Sequence, residues 1–295
     1  MNGYVIFTDS ACDVDPAILS EWGVKMAPLT FRFSGSEREY LDTEMESSAF
    51  YNIMRGGETV KTAAVNKEYF KEKFTQILDT GNDILYLGFS SALSATYSAA
   101  RLAAEELSGE AAERKIITVD TRSASAGLGL IVYLTVKEKE RGASLEDAAE
   151  FAGALADKVC HRFTVDDLDY LKRGGRISPT TAFFGNMLGI KPMLFADSDG
   201  LLKKRSKVIG RHAAIEELAR EYGELAEDRV SGTVFISHAD CEDDAKLLQR
   251  MLGEKYGARV KLICNVGCVV GAHAGPGTLA LFFIGKRHAR DGQEK

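Results

Sequence analysis

Short apolar runs alternate with amphipathic stretches along most of the chain, the pattern of strands feeding helices in an α/β fold. Tyr4–Thr8, Ile84–Phe89 and Lys115–Asp120 each read as a short buried strand. Between the first two, Lys67–Asp79 places Phe70, Phe74, Ile77 and Leu78 along one helical face. Ser94–Ser108 is alanine-rich and helical by propensity. Ser144 is suited to cap a helix that runs to Asp157, and Asp147 three residues on resembles a capping box. Beyond Val159 the texture changes: Asp166–Ser178 is charged and then glycine-rich, and Lys203–Arg211 is basic. The alternation resumes with a helix over Arg211–Tyr222, a strand over Gly232–His238, a helix over Asp243–Tyr256 and a strand over Arg259–Cys264. Two α/β domains are therefore expected, residues 1–159 and 160–286, followed by a loose polar tail over 287–295.

Composition narrows the function classes. The chain has 295 residues, 45% hydrophobic and 27% charged, enough for one large core or two smaller ones. A net charge of −6 argues against nucleic acid, whose binding rests on neutralising phosphates with Lys and Arg. Cys12, Cys160, Cys241, Cys264 and Cys268 are odd in number and scattered, which predicts reduced thiols. The opening Tyr4–Phe7 run is too short for a signal peptide, and Leu128–Val136 falls far short of a membrane span. Cytosolic residence is the expectation.

Several motifs fail. No G-x-x-x-x-G-K-[ST] loop occurs, and Gly127-Leu128-Gly129 lacks a third glycine. The histidines His161, His212, His238, His273 and His288 show no H-x-x-x-H spacing, so no metal site is predicted. Gly88-Phe89-Ser90-Ser91-Ala92 resembles a nucleophile elbow but lacks the second glycine. Asp9, after the first strand, is either a carboxylate for phosphoryl transfer or a loop cap beside Ser10.

What survives is a set of small polar groups in three segments read as strand-to-helix loops: Val60–Ala64, Ser90–Thr96 and His273–Thr278. Ligands of open α/β sheets bind beyond the carboxyl ends of strands, where helix N-termini favour anions. Thr62 and Ser94 are the candidate contacts; ordinary helix capping explains such residues equally well.

The same segments carry a resemblance. Thr8-Asp9-Ser10, Lys61-Thr62, Ser91-Ala92-Leu93-Ser94-Ala95-Thr96-Tyr97 and Asp120-Thr121-Arg122-Ser123-Ala124-Ser125 fall in order along the chain. Tyr170–Ile177, Gly189-Ile190-Lys191-Pro192 and His273-Ala274-Gly275-Pro276-Gly277 complete the series. Together they resemble the DegV family, fatty-acid-binding proteins that serve as the lipid-carrying subunit of bacterial fatty acid kinase. The resemblance implies two α/β domains, with a lipid tunnel opening at the interdomain cleft. It implies a long-chain fatty acid as ligand, no cofactor, and catalysis supplied by a separate ATP-dependent kinase. Thr62, Ser94 and His273 match the family's carboxylate contacts, with Ser91 and Ala95 as further head-group neighbours. Ala95 stands where the family usually has Gly and Ala63 where Ser is common, which bears on head-group geometry. Burying a tail of about sixteen carbons gains on the order of 10 kcal/mol, a gain membranes also offer, so head-group and shape must select the lipid. Arg173, Arg176, Lys204 and Arg205 are the expected contacts to the kinase or to an anionic membrane surface. The rival expectation is an acyl hydrolase or transferase using Ser94 or Ser91 with His273.

Overall fold

The structure is a computed structural model and describes residues 3–110, 114–177, 189–286 and 289–291. Within the N-terminal half, β1 (Tyr4–Asp9), α1 (Pro16–Glu21), β2 (Val24–Ala27), β3 (Thr30–Phe33) and β4 (Tyr40–Leu41) come first. They are followed by α2 (Ser47–Arg55), β5 (Val60–Ala63), α3 (Lys67–Leu78), β6 (Asp83–Gly88), α4 (Thr96–Glu110) and β7 (Ile116–Asp120). The helices α5 (Ala126–Glu140) and α6 (Leu145–Ala156) lead out of this half.

Four of these strands form a parallel sheet in the order β2-β1-β6-β7. Buried on both faces, β1 and β6 read as near-continuous apolar runs, which is why the sequence revealed them. The helices begin where side chains cap them. Asn66 accepts from the Tyr69 amide at 2.8 Å to start α3, and Ser144 accepts from the Asp147 amide at 3.1 Å to start α6. Phe70 and Phe74 of α3 pack against Phe7 and Tyr86 with ring centroids 5.2 to 6.2 Å apart.

A second, three-stranded antiparallel sheet, β4-β3-β5, carries Thr62 opposite Phe31. Val60–Ala63 is therefore a strand, not the strand-to-helix loop read from sequence. Val60-Lys61-Thr62-Ala63 has too little apolar character to announce itself, because it lies at a sheet edge with alternate residues outside.

The C-terminal half contributes β8 (Val159–Thr164), α7 (Asp169–Arg173), β9 (Ile190–Ala196), β10 (Leu202–Ile209), α8 (Arg211–Leu225) and β11 (Val234–His238). It ends with α9 (Glu242–Tyr256), β12 (Val260–Asn265), α10 (Cys268–Ala274) and β13 (Leu279–Ile284). Its mixed sheet runs β10-β9-β8-β13-β11-β12. The basic stretch expected at the surface is β10, paired antiparallel with β9 and bulged between Lys204 and Ser206. Arg205 turns inward there: it pairs at 3.0 Å with Glu221 of α8, which also pairs at 3.0 Å with the fully buried Arg162.

The two halves share a core, and the C-terminal half has a second one of its own around Leu218, Tyr222, Leu248 and Phe283. One apolar cluster joins Phe7, Tyr51 and Leu130 of the first with Phe163, Phe235 and Phe282 of the second. Gly127 of α5 makes that junction close: a Cβ there would lie 2.3 Å from His161 Nε2. The Gly127-Leu128-Gly129 pair thus serves packing, which explains a G-x-G without a nucleotide loop. The polar tail also departs from expectation. Ala289–Asp291 form a short 3-10 turn, and Arg290 is buried against backbone carbonyls of Asp197, Ala156 and Arg122. Arg287, His288 and residues 292–295 lie outside the described residues.

Candidate functional site

A cavity of about 240 Å³ opens between the two halves, far larger than the ~10–15 Å³ that holds one water. Its wall is mostly apolar, with Phe89, Leu93, Phe163, Val269 and Phe282 contributed by both halves. Thr62, Ser94, Ala95 and His273 all line it. Thr62 and Ala63 also line an outer depression with Arg32 and Lys61, which puts this end of the cavity at its mouth.

The three candidate contacts arrive from three directions. Thr62 projects from β5, Ser94 stands just ahead of α4, and His273 lies near the C-terminal end of α10. The segment His273–Thr278 is accordingly a helix end turning into a strand, where Thr278 Oγ1 donates to the carbonyls of Ala274 and Gly275 at 2.9 and 2.8 Å. Buried hydrogen bonds fix α10: the Val269 amide donates to Asp42 Oδ1 at 2.8 Å, and Tyr51 donates to the Val266 carbonyl just before the helix, also at 2.8 Å.

Thr62 Oγ1 and His273 Nε2 are 2.8 Å apart. Ser94 Oγ lies 2.9 Å from Thr96 Oγ1 and accepts from the Thr96 amide at 3.2 Å. Burial first, and the nearby Arg176 second, push the His273 pKa down to about 4, so the ring is neutral at physiological pH. Gly174 permits the ring's position, since a Cβ there would fall 2.2 Å from His273 Nδ1.

The other sequence candidates separate. Ser91 is exposed and donates to Asp120 Oδ2 at 2.5 Å; it is not part of the cavity wall. His273 bonds Thr62, and no serine–histidine hydrogen bond occurs in the wall among the described residues. Ala95 lines the cavity without left-handed backbone, so its methyl adds bulk and no strain. Arg176, expected on an outer contact surface, lies in the cavity wall, donating from Nε to the Leu93 carbonyl at 3.2 Å and from Nη1 to the Gly174 carbonyl. Arg205 is the inward ion pair already described, while Arg173 is exposed over the Tyr170 ring at 4.8 Å. Lys204 is half-buried on β10. Asp9 is a loop cap: its carboxylate accepts from Phe89 and Ala11 amides and from Tyr86, at 2.9, 3.2 and 2.7 Å.

Sequence reasoning missed three polar residues of the wall, Ser125, His161 and Ser237. His161 is a packing residue, its Nε2 accepting from the Ala124 amide at 3.3 Å and its ring edge-on to Phe282. Ser125 closes the Ser123-Ala124-Ser125 segment, and Ser237 is the one small hydroxyl inside an otherwise apolar strand core, Val234–Ser237. That second feature was the available signal.

A sequence profile described as "Uncharacterised protein, DegV family" matches residues 4–286. The chain belongs to the DegV family. A DegV domain-containing protein of Clostridium perfringens is 41% identical over 286 residues, covering 97% of this chain and 98% of that one. Among solved structures, a DegV family protein from Thermus thermophilus, described by its fatty acid binding, superposes with a TM-score of 0.87 at 28% identity. That match covers 96% of this chain and 100% of the other. A DegV lipid binding protein from Thermotoga maritima gives 0.84 at 29% identity, covering 97% and 99%. The two-part DegV α/β architecture expected from the sequence is thus the fold of this chain. Among the described residues, no helix is long and apolar enough to cross a membrane.

Proposed function

We propose that this DegV protein holds a long-chain fatty acid in the interdomain cavity, with the carboxylate on Thr62 and Ser94. The observation that carries the reading is the pair of hydroxyls, each backed by another group, at the mouth of an apolar cavity. With a carboxylate present, His273 Nε2–H donates to Thr62 Oγ1, which frees the Thr62 proton for the ligand. In the same way Thr96 donates to Ser94 Oγ through its amide and hydroxyl, and the Ser94 proton turns to the second carboxylate oxygen. Arg176 adds positive charge nearby while its Nε and Nη1 are engaged by carbonyls. Neutral donors hold the acid without a bidentate clamp, which leaves an oxygen open to attack on an activated phosphate.

The resemblance to the lipid-carrying subunit of fatty acid kinase supplies the partner: a separate kinase brings ATP, and this chain presents the acid. Arg173, exposed on α7 and sharing a surface depression with His273, is the basic residue we assign to contact with that kinase. Organic extraction of purified protein, followed by mass spectrometry, is expected to release a fatty acid in stoichiometric amount. Absence of lipid together with no uptake of added fatty acid overturns the reading. Acyl-phosphate formation with the kinase, lost in Thr62→Val, tests the second half.

A further inference from the structure

The cavity wall holds a second hydroxyl pair, distinct from the one that meets the carboxylate. Ser237 sits on β11, fully buried from solvent, beside Ala280 of β13 in the sheet register. Ala280 of β13 stands two residues beyond Thr278, which is bonded to the end of α10, so about 7 Å of extended chain separates Ser237's level from that end. Ser125 reaches it from the other half of the molecule, with the two oxygens 2.9 Å apart. Behind them Ser125 donates to Asp13 Oδ2 at 2.5 Å.

The backbone is bent to make this chain of hydrogen bonds. Ser125 has φ 53° and ψ −150°, a conformation that glycine adopts freely and a serine adopts at a cost. Asp13 is also left-handed, at φ 55°. Ser125 is tied by its amide to the Ala11 carbonyl at 2.7 Å. Glycine at 125 would remove the strain, and what it would lose is the hydroxyl.

We propose that the lipid taken by this cleft carries a hydroxyl group along its acyl chain, received by the Ser125–Ser237 pair. The inference rests on the fatty-acid-carrier reading above. Proton accounting favours a hydroxyl. With Asp13 ionised, Ser237 donates to Ser125 and Ser125 to Asp13, so Ser237 turns lone pairs toward the cavity. Burial, with Asp42 nearby, raises the Asp13 pKa well above the ordinary value. With Asp13 protonated the chain reverses, and Ser237 offers its proton to the cavity. A ligand hydroxyl answers either state, because it both donates and accepts. An unsubstituted chain laid across the pair strips water from it and returns no hydrogen bond, which works against that ligand.

The test compares stearic acid with mid-chain and terminally hydroxylated stearic acids on the delipidated full chain, by calorimetric titration. The mid-chain hydroxy acid is expected to bind about tenfold tighter than stearic acid. Ser237→Val and Ser125→Gly are expected to erase that ratio, and Ser237→Thr to keep it. The proposal is overturned if the parent protein binds stearic acid as tightly as every hydroxylated acid, the outcome of hydroxyls that hold only water. It is equally overturned if Ser237→Val leaves the ratio intact. Failure of all the acids to bind overturns the carrier reading itself, a distinguishable result.

Discussion

The cavity has two polar regions built from the same side-chain chemistry, and they differ in what stands behind each hydroxyl. At the mouth, Thr62 is backed by a neutral histidine and Ser94 by Thr96, groups that can donate and so turn both protons outward. Along the wall, Ser125 is backed by a buried carboxyl and Ser237 by Ser125. A donor behind a hydroxyl makes it a receiver of anions. A carboxyl behind it makes a relay whose direction follows the proton. The lesson is that a serine in a pocket is read from its second neighbour, not from its own oxygen.

The largest effect is expected where both regions fail together. Arg205→Glu sets a carboxylate against the buried Glu221 and costs about 3–5 kcal/mol of stability, measurable by chemical denaturation. That loss comes without any selective change between acids in the fraction still folded. Gly174→Ala separates the regions: its methyl overlaps His273 Nδ1, so the ring must leave Thr62. Affinity for stearic acid is expected to fall by up to about tenfold, from the one charge-assisted bond that Thr62 makes with His273 behind it, while the preference between acids survives. Thr62→Val and Ser94→Ala each remove one donor, for about a tenfold loss apiece by fluorescent fatty-acid displacement.

The smallest effect is in pH. His273 is neutral well above its pKa of about 4, so affinity is expected to stay flat from about pH 6 to pH 8. For stability the sign is definite. The unfolded chain holds the His273 proton up to about pH 6.5 and the folded chain only to about 4, so this residue weakens the fold as pH falls through that window. Asp9 and Asp42, raised to about 6 by burial, act oppositely: their contribution is full at low pH and fades as pH rises toward 6. His273→Gln isolates the first contribution, and its Tm is expected to drop less than the parent's between about pH 7 and about pH 5.

Much of the fold was legible because it is local. β1 and β6 are buried apolar runs, β7 is a half-buried one, and α3, α6, α8 and α9 carry caps or periodic faces within a few turns of sequence. What escaped is set by distant partners. β5 became recognisable as a strand only through β3, and the basic run Lys203–Lys207 became a strand through β9. Arg205 reads as a surface charge until Glu221 is seen, and Arg176 reads as a docking residue until the cavity closes over it. Thr62 and Ser94 stood out as small polar groups and His273 through the family motif, and the structure brings all three to one cavity. Ser125 and Ser237 were passed over, since neither spacing nor charge links residues 112 positions apart.

The buried Arg290 has a consequence for how the chain is made. Its guanidinium holds the carbonyls of Ala156, at the end of α6, and of Arg122, in the loop ahead of α5, together with Asp197 at 2.9 Å. Those groups leave the ribosome 93 to 168 residues before Arg290 does, and until it arrives the carbonyls must be served by water. The seam between the halves is therefore sealed late in translation. A nascent chain arrested short of residue 290 should expose that seam to proteases, even with every strand already synthesised.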